Sequence, residues 1–184
     1  ILSIVVGILF VIIAFGTIAA HSSPPTYVLL IHGYSMDGSY AANVWQGGLN
    51  IYQTLVNHGY IVGLVSYYGV FTISFSNGLT FTDPNFYGTQ NTPIENVANE
   101  LGYALTKIFG NMGPVNLDIV AHSMGGLVTL YMLENFKIPN VNLVNVIYIA
   151  SPFNGSPFAS ITSSLGLDIF VGYQADEMVR SEER

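Results

Sequence analysis

The stretch from Val115 to Asn135 constrains this chain more than any other part of it. Val115–Val120 is an apolar-rich run, Ala121-His122-Ser123-Met124-Gly125-Gly126 follows directly, and an amphipathic segment continues from there. An apolar run, a short turn and a segment of helical period read as strand, turn and helix. A small-X-Ser-X-Gly element in that setting makes a sharp turn with the serine at its apex, its backbone strained and its hydroxyl lifted above the sheet edge. Small residues at 121 and 125 let the strand and helix approach closely enough to make that turn. The helix N-terminus beyond it offers unpaired N–H groups and a positive dipole end to a developing oxyanion. The chemistry suited to such a turn is attack of a serine hydroxyl on an acyl carbonyl.

The 184 residues suffice for one domain with a sizeable core. The chain begins at Ile1 and stops within the polar stretch Ala175–Arg184, which reads as a fragment open at both ends. Residues 1–20 are apolar apart from Ser3 and Thr17 and carry no charge. As a helix they would span roughly 30 Å, the thickness of a bilayer's hydrocarbon core. The segment is expected to be a membrane anchor or a signal segment. The cleaved-signal reading has small residues near Thr17–Ala20 in its favour and lacks the basic leader. A buried core helix is disfavoured because the run is apolar on every face. Anchor and signal alike place the remainder outside the cytoplasm, either extracellular or tethered to the membrane and facing outward. Residues 21–26, with two serines and two prolines, read as a linker, and residues 27–184 as the folded domain, incomplete at its C-terminus.

Composition excludes several functions. Charged residues make up 8% of the chain, the net charge is −7, and only four residues are basic. Nucleic acid is therefore not an expected partner, because phosphate contacts need clustered lysine and arginine. There is no cysteine, hence no disulfide framework and no thiolate metal site. Without a phosphate-cradling glycine loop or a His/carboxylate cluster at ligand spacing, no metal and no cofactor are expected. Nothing in the pattern specifies an oligomeric state.

Along the chain, Tyr27–Ile31 is an apolar run ending at His32-Gly33 and reads as a buried parallel strand. Gly47–His58 has helical spacing at Leu49, Tyr52, Leu55 and Val56, with Gly59 in the position of a C-terminal cap. Tyr60–Tyr67 is a second strand. Thr92–Phe109 reads as a helix, with Pro93 near its first turn and Val97, Leu101, Leu105 and Ile108 on one face. Val115–Ala121 is a third strand, Ser123–Phe136 the next helix and Val144–Ala150 a fourth strand. This alternation predicts an α/β fold, a mostly parallel sheet with helices on both faces, preceded by the N-terminal hydrophobic helix. Gly69–Asn91 breaks the rhythm with Phe71, Phe75, Phe81, Phe86 and Tyr87 set among Gly, Asn, Thr and Pro. It reads either as an excursion packing its aromatics on the sheet edge or as part of a cap lining an apolar cleft.

Three separated pieces carry a resemblance. They are Ile31-His32-Gly33-Tyr34 after the first strand, Ala121-His122-Ser123-Met124-Gly125-Gly126 at the turn, and Ala150-Ser151-Pro152-Phe153-Asn154-Gly155-Ser156 after the fourth strand. In this order and spacing the chain resembles the lipase and esterase branch of the α/β-hydrolase superfamily, triacylglycerol lipases among them. The turn departs from the usual pattern only in carrying alanine where glycine is commoner. The resemblance implies a carboxylic ester hydrolase in which Ser123 attacks the acyl carbonyl and forms an acyl-enzyme. It further implies that the backbone N–H groups of Tyr34 and Met124 form the oxyanion hole. The substrate implied is an acyl ester or lipid. Within the same resemblance His32 supports the oxyanion loop, whereas His122 points away from the nucleophile and packs. His21 and His58 are expected to be solvated, and Asp118 and the Met124 side chain structural.

One departure matters more. The superfamily's triad runs serine, acid, histidine, yet all four histidines, at 21, 32, 58 and 122, precede Ser123. Without an imidazole to take its proton a serine hydroxyl is a weak nucleophile. Asp168 and Asp176 follow the fourth strand, but neither sits at a clear strand end. The acid and histidine are expected beyond Arg184, and the 184 residues alone are expected to be inactive. Two other functions compete on the same turn: an acyltransferase or a deacylase of lipid or thioester substrates, and a membrane-tethered binding domain that has lost catalysis.

Overall fold

Five consecutive buried residues, Tyr27 through Ile31, place strand β1 (Thr26–Ile31) at the heart of a sheet. A strand covered on both faces has no solvent side to make polar, so its sequence is continuously apolar. The structure is a computed structural model that describes residues 24–35 and 43–153. The apolar segment 1–20 lies outside those residues. Among the described ones, no helix is long and apolar enough to cross a membrane.

After β1 come α1 (Asn43–Gln46), α2 (Ile51–Asn57), β2 (Ile61–Ser66), β3 (Gly69–Phe75), β4 (Thr80–Gly88), α3 (Ile94–Phe109), β5 (Val115–His122), α4 (Met124–Asn135) and β6 (Val141–Ile149). The strands form one six-stranded sheet in the order β4-β3-β2-β1-β5-β6. β1 pairs in parallel with β2 on one side and β5 on the other, so Ile31 stands between Val65 and Ala121. β6 continues the parallel run beyond β5. β3 and β4 are antiparallel and close the opposite edge.

Helices cover both faces. On one, Val28, Leu30, Val62 and Trp45 are buried against Ile51, Tyr52, Leu55 and Val56 of α2. On the other, Tyr27, Leu29, Ile31, Leu117 and Ile119 meet the apolar side of α3 and the first turns of α4. Each such side chain taken fully from water contributes roughly 1.5–3 kcal/mol. Helix α3 presents Val97, Leu101, Leu105 and Ile108 to this core, the face its sequence periodicity predicts. Its Glu95 and Lys107 lie in the first and last turns, complementing the helix dipole. Helix α2 ends in a Schellman motif: Gly59 N–H donates to Val56 O at 3.0 Å and Tyr60 N–H to Leu55 O at 3.2 Å, with Gly59 at φ 87°. Leu49, expected on that helix face, instead precedes the helix and is 89% exposed.

The region Gly69–Asn91 differs most from expectation. It holds two strands of the main sheet, a hairpin turning at Asn77-Gly78, where Gly78 has φ 89° and its N–H donates to Phe75 O at 2.9 Å. Phe71 and Phe75 are buried, and Phe81 and Phe86 are partly buried on the α3 side. Phe81 also meets Tyr103 of α3 edge-on at 6.1 Å. The alternation Phe71-Thr72-Ile73-Ser74-Phe75 followed by Asn-Gly is a hairpin signal that the aromatic count obscured. β6 begins at Val141, three residues before the predicted start. Asn142 and Asn145 lie on its open face, where their amides donate to Asn116 at 2.9 Å and Asp118 at 2.8 Å.

The hairpin docks on α3 through two carboxyl groups. Glu100 is pushed up to about 7, first by burial and then by the neighbouring charge of Asp83 and a side-chain hydrogen bond with it. Because the folded state holds this proton more tightly than the unfolded chain does, the stability it confers is complete below the ordinary glutamate range and is lost as pH rises through about 7. Solvent screening of this partly exposed pair leaves an effect on the order of 1 kcal/mol. We expect the melting temperature to fall by roughly 2–4 °C between about pH 5 and about pH 8, and Glu100→Gln to flatten that slope in thermal melts.

Candidate active site

At β1 the chain order of the sheet reverses: β2 lies to one side and β5 to the other. The segment leaving β1 covers one face and α4, leaving β5, covers the other. A crevice opens where such paths part, outside the carboxyl ends of the two strands. His32-Gly33-Tyr34 and Ser123 stand at those two ends.

Ser123 has φ 53° and ψ −129°, a conformation that L-residues rarely adopt. Strain of this kind costs about 1–3 kcal/mol and persists only where the surroundings enforce it. Here Ser123 N–H donates to Ile149 O at 2.8 Å, and Ser123 O accepts from Gly126 N–H at 2.9 Å. Although it occupies the N-cap position, the serine side chain makes no capping bond to α4. It is partly exposed, and its Oγ makes no hydrogen bond to a described residue.

Three glycines make the close approach possible. A Cβ on Gly33 would sit 2.6 Å from Ser123 Cβ and 3.1 Å from Ser123 Oγ. One on Gly125 would overlap the His32 carbonyl and lie 2.8 Å from that of Ile31, and one on Gly126 would strike the Ser151 side chain. The first turn of α4 thus rests directly on the backbone end of β1 and on the Ser151 side chain just beyond β6. Met124, fully buried by its side chain, heads the helix. Its N–H belongs to the first turn, where no carbonyl one turn earlier is available within the helix.

The loop after β1 is held from beneath. His32 is 1% exposed and its Nδ1 lies 2.7 Å from Gly33 O, so that nitrogen carries the proton and donates. Burial lowers His32 to about 4, against the raising effect of the Gly33 bond and with a further lowering from His122, so it is neutral at neutral pH. Its ring stacks on Tyr67 at 3.8 Å. The Tyr67 hydroxyl donates to His32 O at 2.5 Å and reaches Gly33 O at 3.1 Å. The Tyr68 hydroxyl accepts from Ser35 N–H at 3.1 Å. These two tyrosines were not singled out in the sequence, where Tyr67 reads only as the end of an apolar strand.

The remaining predicted residues fall in different places. His122 packs edge-on against Trp45 at 6.4 Å and is lowered by burial. His58 ends α2 with Nδ1 2.7 Å from Thr54 O. Asp118 accepts from Asn145 on the open sheet face. His21, Asp168, Asp176 and residues 154–156 of the third matching piece lie outside the described residues. Of that piece Ala150 is described, with φ 51°, as is Phe153, whose ring meets Tyr148 at 4.9 Å. Among the described residues no group of three or more His, Asp or Glu side chains is placed to hold a metal. A cavity of about 370 Å³ lies under the C-terminal turns of α4, bounded by Met132, Phe136 and Val141, at the opposite end of that helix from Ser123. No protein-family model matches this chain, and no match is found among curated proteins.

Replacing the strained serine separates backbone from side chain. Ser123→Gly is expected to unfold about 1 kcal/mol later in denaturant than Ser123→Ala, since glycine alone relieves the positive φ. Gly125→Ala is expected to lose about 1–3 kcal/mol by overpacking against the His32 carbonyl.

Proposed function

We propose that this chain carries the nucleophile and oxyanion site of a carboxylic ester hydrolase of lipase or esterase type, built on an α/β-hydrolase fold. The observation that carries this reading is the strained Ser123 at a strand-to-helix turn, facing Gly33 across a sheet switch point. A hydroxyl that neither caps its helix nor enters the core, yet is held at a backbone cost, fits a reactive group better than a structural one.

In this reading Ser123 Oγ attacks the acyl carbonyl, and the carbonyl oxygen gains negative charge between the N–H groups of Tyr34 and Met124. Collapse of the tetrahedral intermediate expels the alcohol and leaves an acyl-enzyme, which water then cleaves. No histidine follows Ser123 within the 184 residues. The reading therefore requires an imidazole, with its orienting acid, from outside these residues. The substrate class is an acyl ester, with lipid esters the favoured members if residues 1–20 hold the domain at the outer face of a membrane.

The test is covalent labelling of the full-length protein with a fluorophosphonate, alongside hydrolysis of a p-nitrophenyl acyl ester. Labelling and turnover are expected for the unaltered protein, with both abolished in Ser123→Ala. Equal labelling of the two would remove Ser123 from this role.

A further inference from the structure

A trans peptide unit points its C=O and N–H in opposite directions, so holding one aims the other. The Gly33 carbonyl is drawn towards the interior by His32 Nδ1 at 2.7 Å and the Tyr67 hydroxyl at 3.1 Å. The N–H across that same peptide bond belongs to Tyr34, so it faces away from Tyr67. The preceding carbonyl, of His32, takes the shorter bond from the Tyr67 hydroxyl. One residue beyond, Ser35 N–H is tied to the Tyr68 hydroxyl. Two adjacent tyrosines leaving β2 thus hold the peptides on both sides of Tyr34, in the loop whose glycine touches Ser123.

The clamp is itself immobilised. Tyr67 is fully buried, its ring lies on the His32 imidazole, and its backbone carbonyl abuts Gly88 so closely that no Cβ fits there. A buried tyrosine needs only one acceptor to avoid an unsatisfied hydroxyl. Here the single proton is shared between two consecutive carbonyls of one loop, which fixes a peptide plane and not merely a side chain.

We propose that Tyr67 and Tyr68 are positioning residues, a clamp that sets the plane of the Gly33–Tyr34 peptide and thereby aims the Tyr34 N–H at the oxyanion formed on attack by Ser123. This inference rests on the acyl-transfer reading above. Neither tyrosine touches the reacting atoms. Their effect is on preorganisation, which counts most when charge develops and little when substrate binds.

Tyr67→Phe keeps the ring stack and removes the shared donor. In the full-length protein we expect kcat and the rate of fluorophosphonate labelling to fall about tenfold to a hundredfold, as for a modest misplacement of a catalytic donor, with KM moving less than about twofold. The backbone amide resonance of Tyr34 should shift in the same variant. Tyr68→Phe should shift the Ser35 amide and slow labelling by a smaller factor, whereas Tyr60→Phe, at the start of β2 far from the loop, should leave every readout unchanged. A Tyr67→Phe protein that labels at the unaltered rate with an unmoved Tyr34 resonance overturns the clamp and leaves the Ser123 reading standing. If the unaltered protein is not labelled at Ser123, the functional reading fails instead. The Tyr34 resonance then decides the clamp alone, and an unmoved signal overturns it. Should Tyr67→Phe fail to fold, Tyr68→Phe carries the test, with unchanged labelling and an unmoved Ser35 amide as the overturning result.

Discussion

The site depends on close approaches that only glycine permits, because a Cβ at any of three positions would collide with its neighbour. Gly33 against Ser123, Gly125 against the carbonyls closing β1, and Gly126 against Ser151 bring three strand ends and one helix start within contact distance. Apolar packing of the sheet supplies the force: β1 is buried on both faces, and β5 is held beside it in continuous register from Thr26 to Ile31. With both strands immobile, the chain turning from β5 into α4 has little room. The strained backbone at Ser123 is the conformation that fits.

The second constraint is electrostatic. The chain has four basic residues, and among the described ones only Lys107 and Lys137 are basic. Lys107 lies over the Tyr103 ring on α3, and Lys137 follows α4 at its far end. Neither stands near Ser123, and His32 is buried and neutral at neutral pH. Among the described residues, an anion beside Ser123 would therefore be met by fixed peptide dipoles and a helix start, not by a lysine. Such stabilisation depends on orientation, since a hydrogen bond weakens steeply once its donor angle falls below about 120°. On the proposed reading, the hydrogen bonds beneath the loop, at His32, Tyr67 and Tyr68, bear on that orientation.

Much of this architecture was legible along the chain because it arises from periodicity. Tyr27–Ile31 and Val115–Ala121 declare buried strands, Val97, Leu101, Leu105 and Ile108 declare a helix face, and Gly59 declares a helix end. The hairpin of β3 and β4 was less legible. Its alternation and its Asn77-Gly78 turn were present, but a break in the strand–helix rhythm and five aromatic side chains suggested an excursion from the sheet. The early start of β6 was hidden for a related reason: a strand with one open face carries Asn142 and Asn145, and polar residues disguise its first turns of register.

By itself, the order of residues determined that a serine would stand at a strand-to-helix turn between small neighbours, because the turn's sterics are local. It also determined which face of α3 would be buried, because Val97, Leu101, Leu105 and Ile108 recur at the helical period. Only the tertiary structure decided that β2 and β5 would flank β1 on opposite sides, which puts the sheet's switch point beside Ser123. It alone decided that the hydroxyls of Tyr67 and Tyr68 would reach back across more than thirty residues to the loop around Gly33. Contacts of that separation depend on how the sheet is assembled, and no local pattern of apolar and polar residues encodes them.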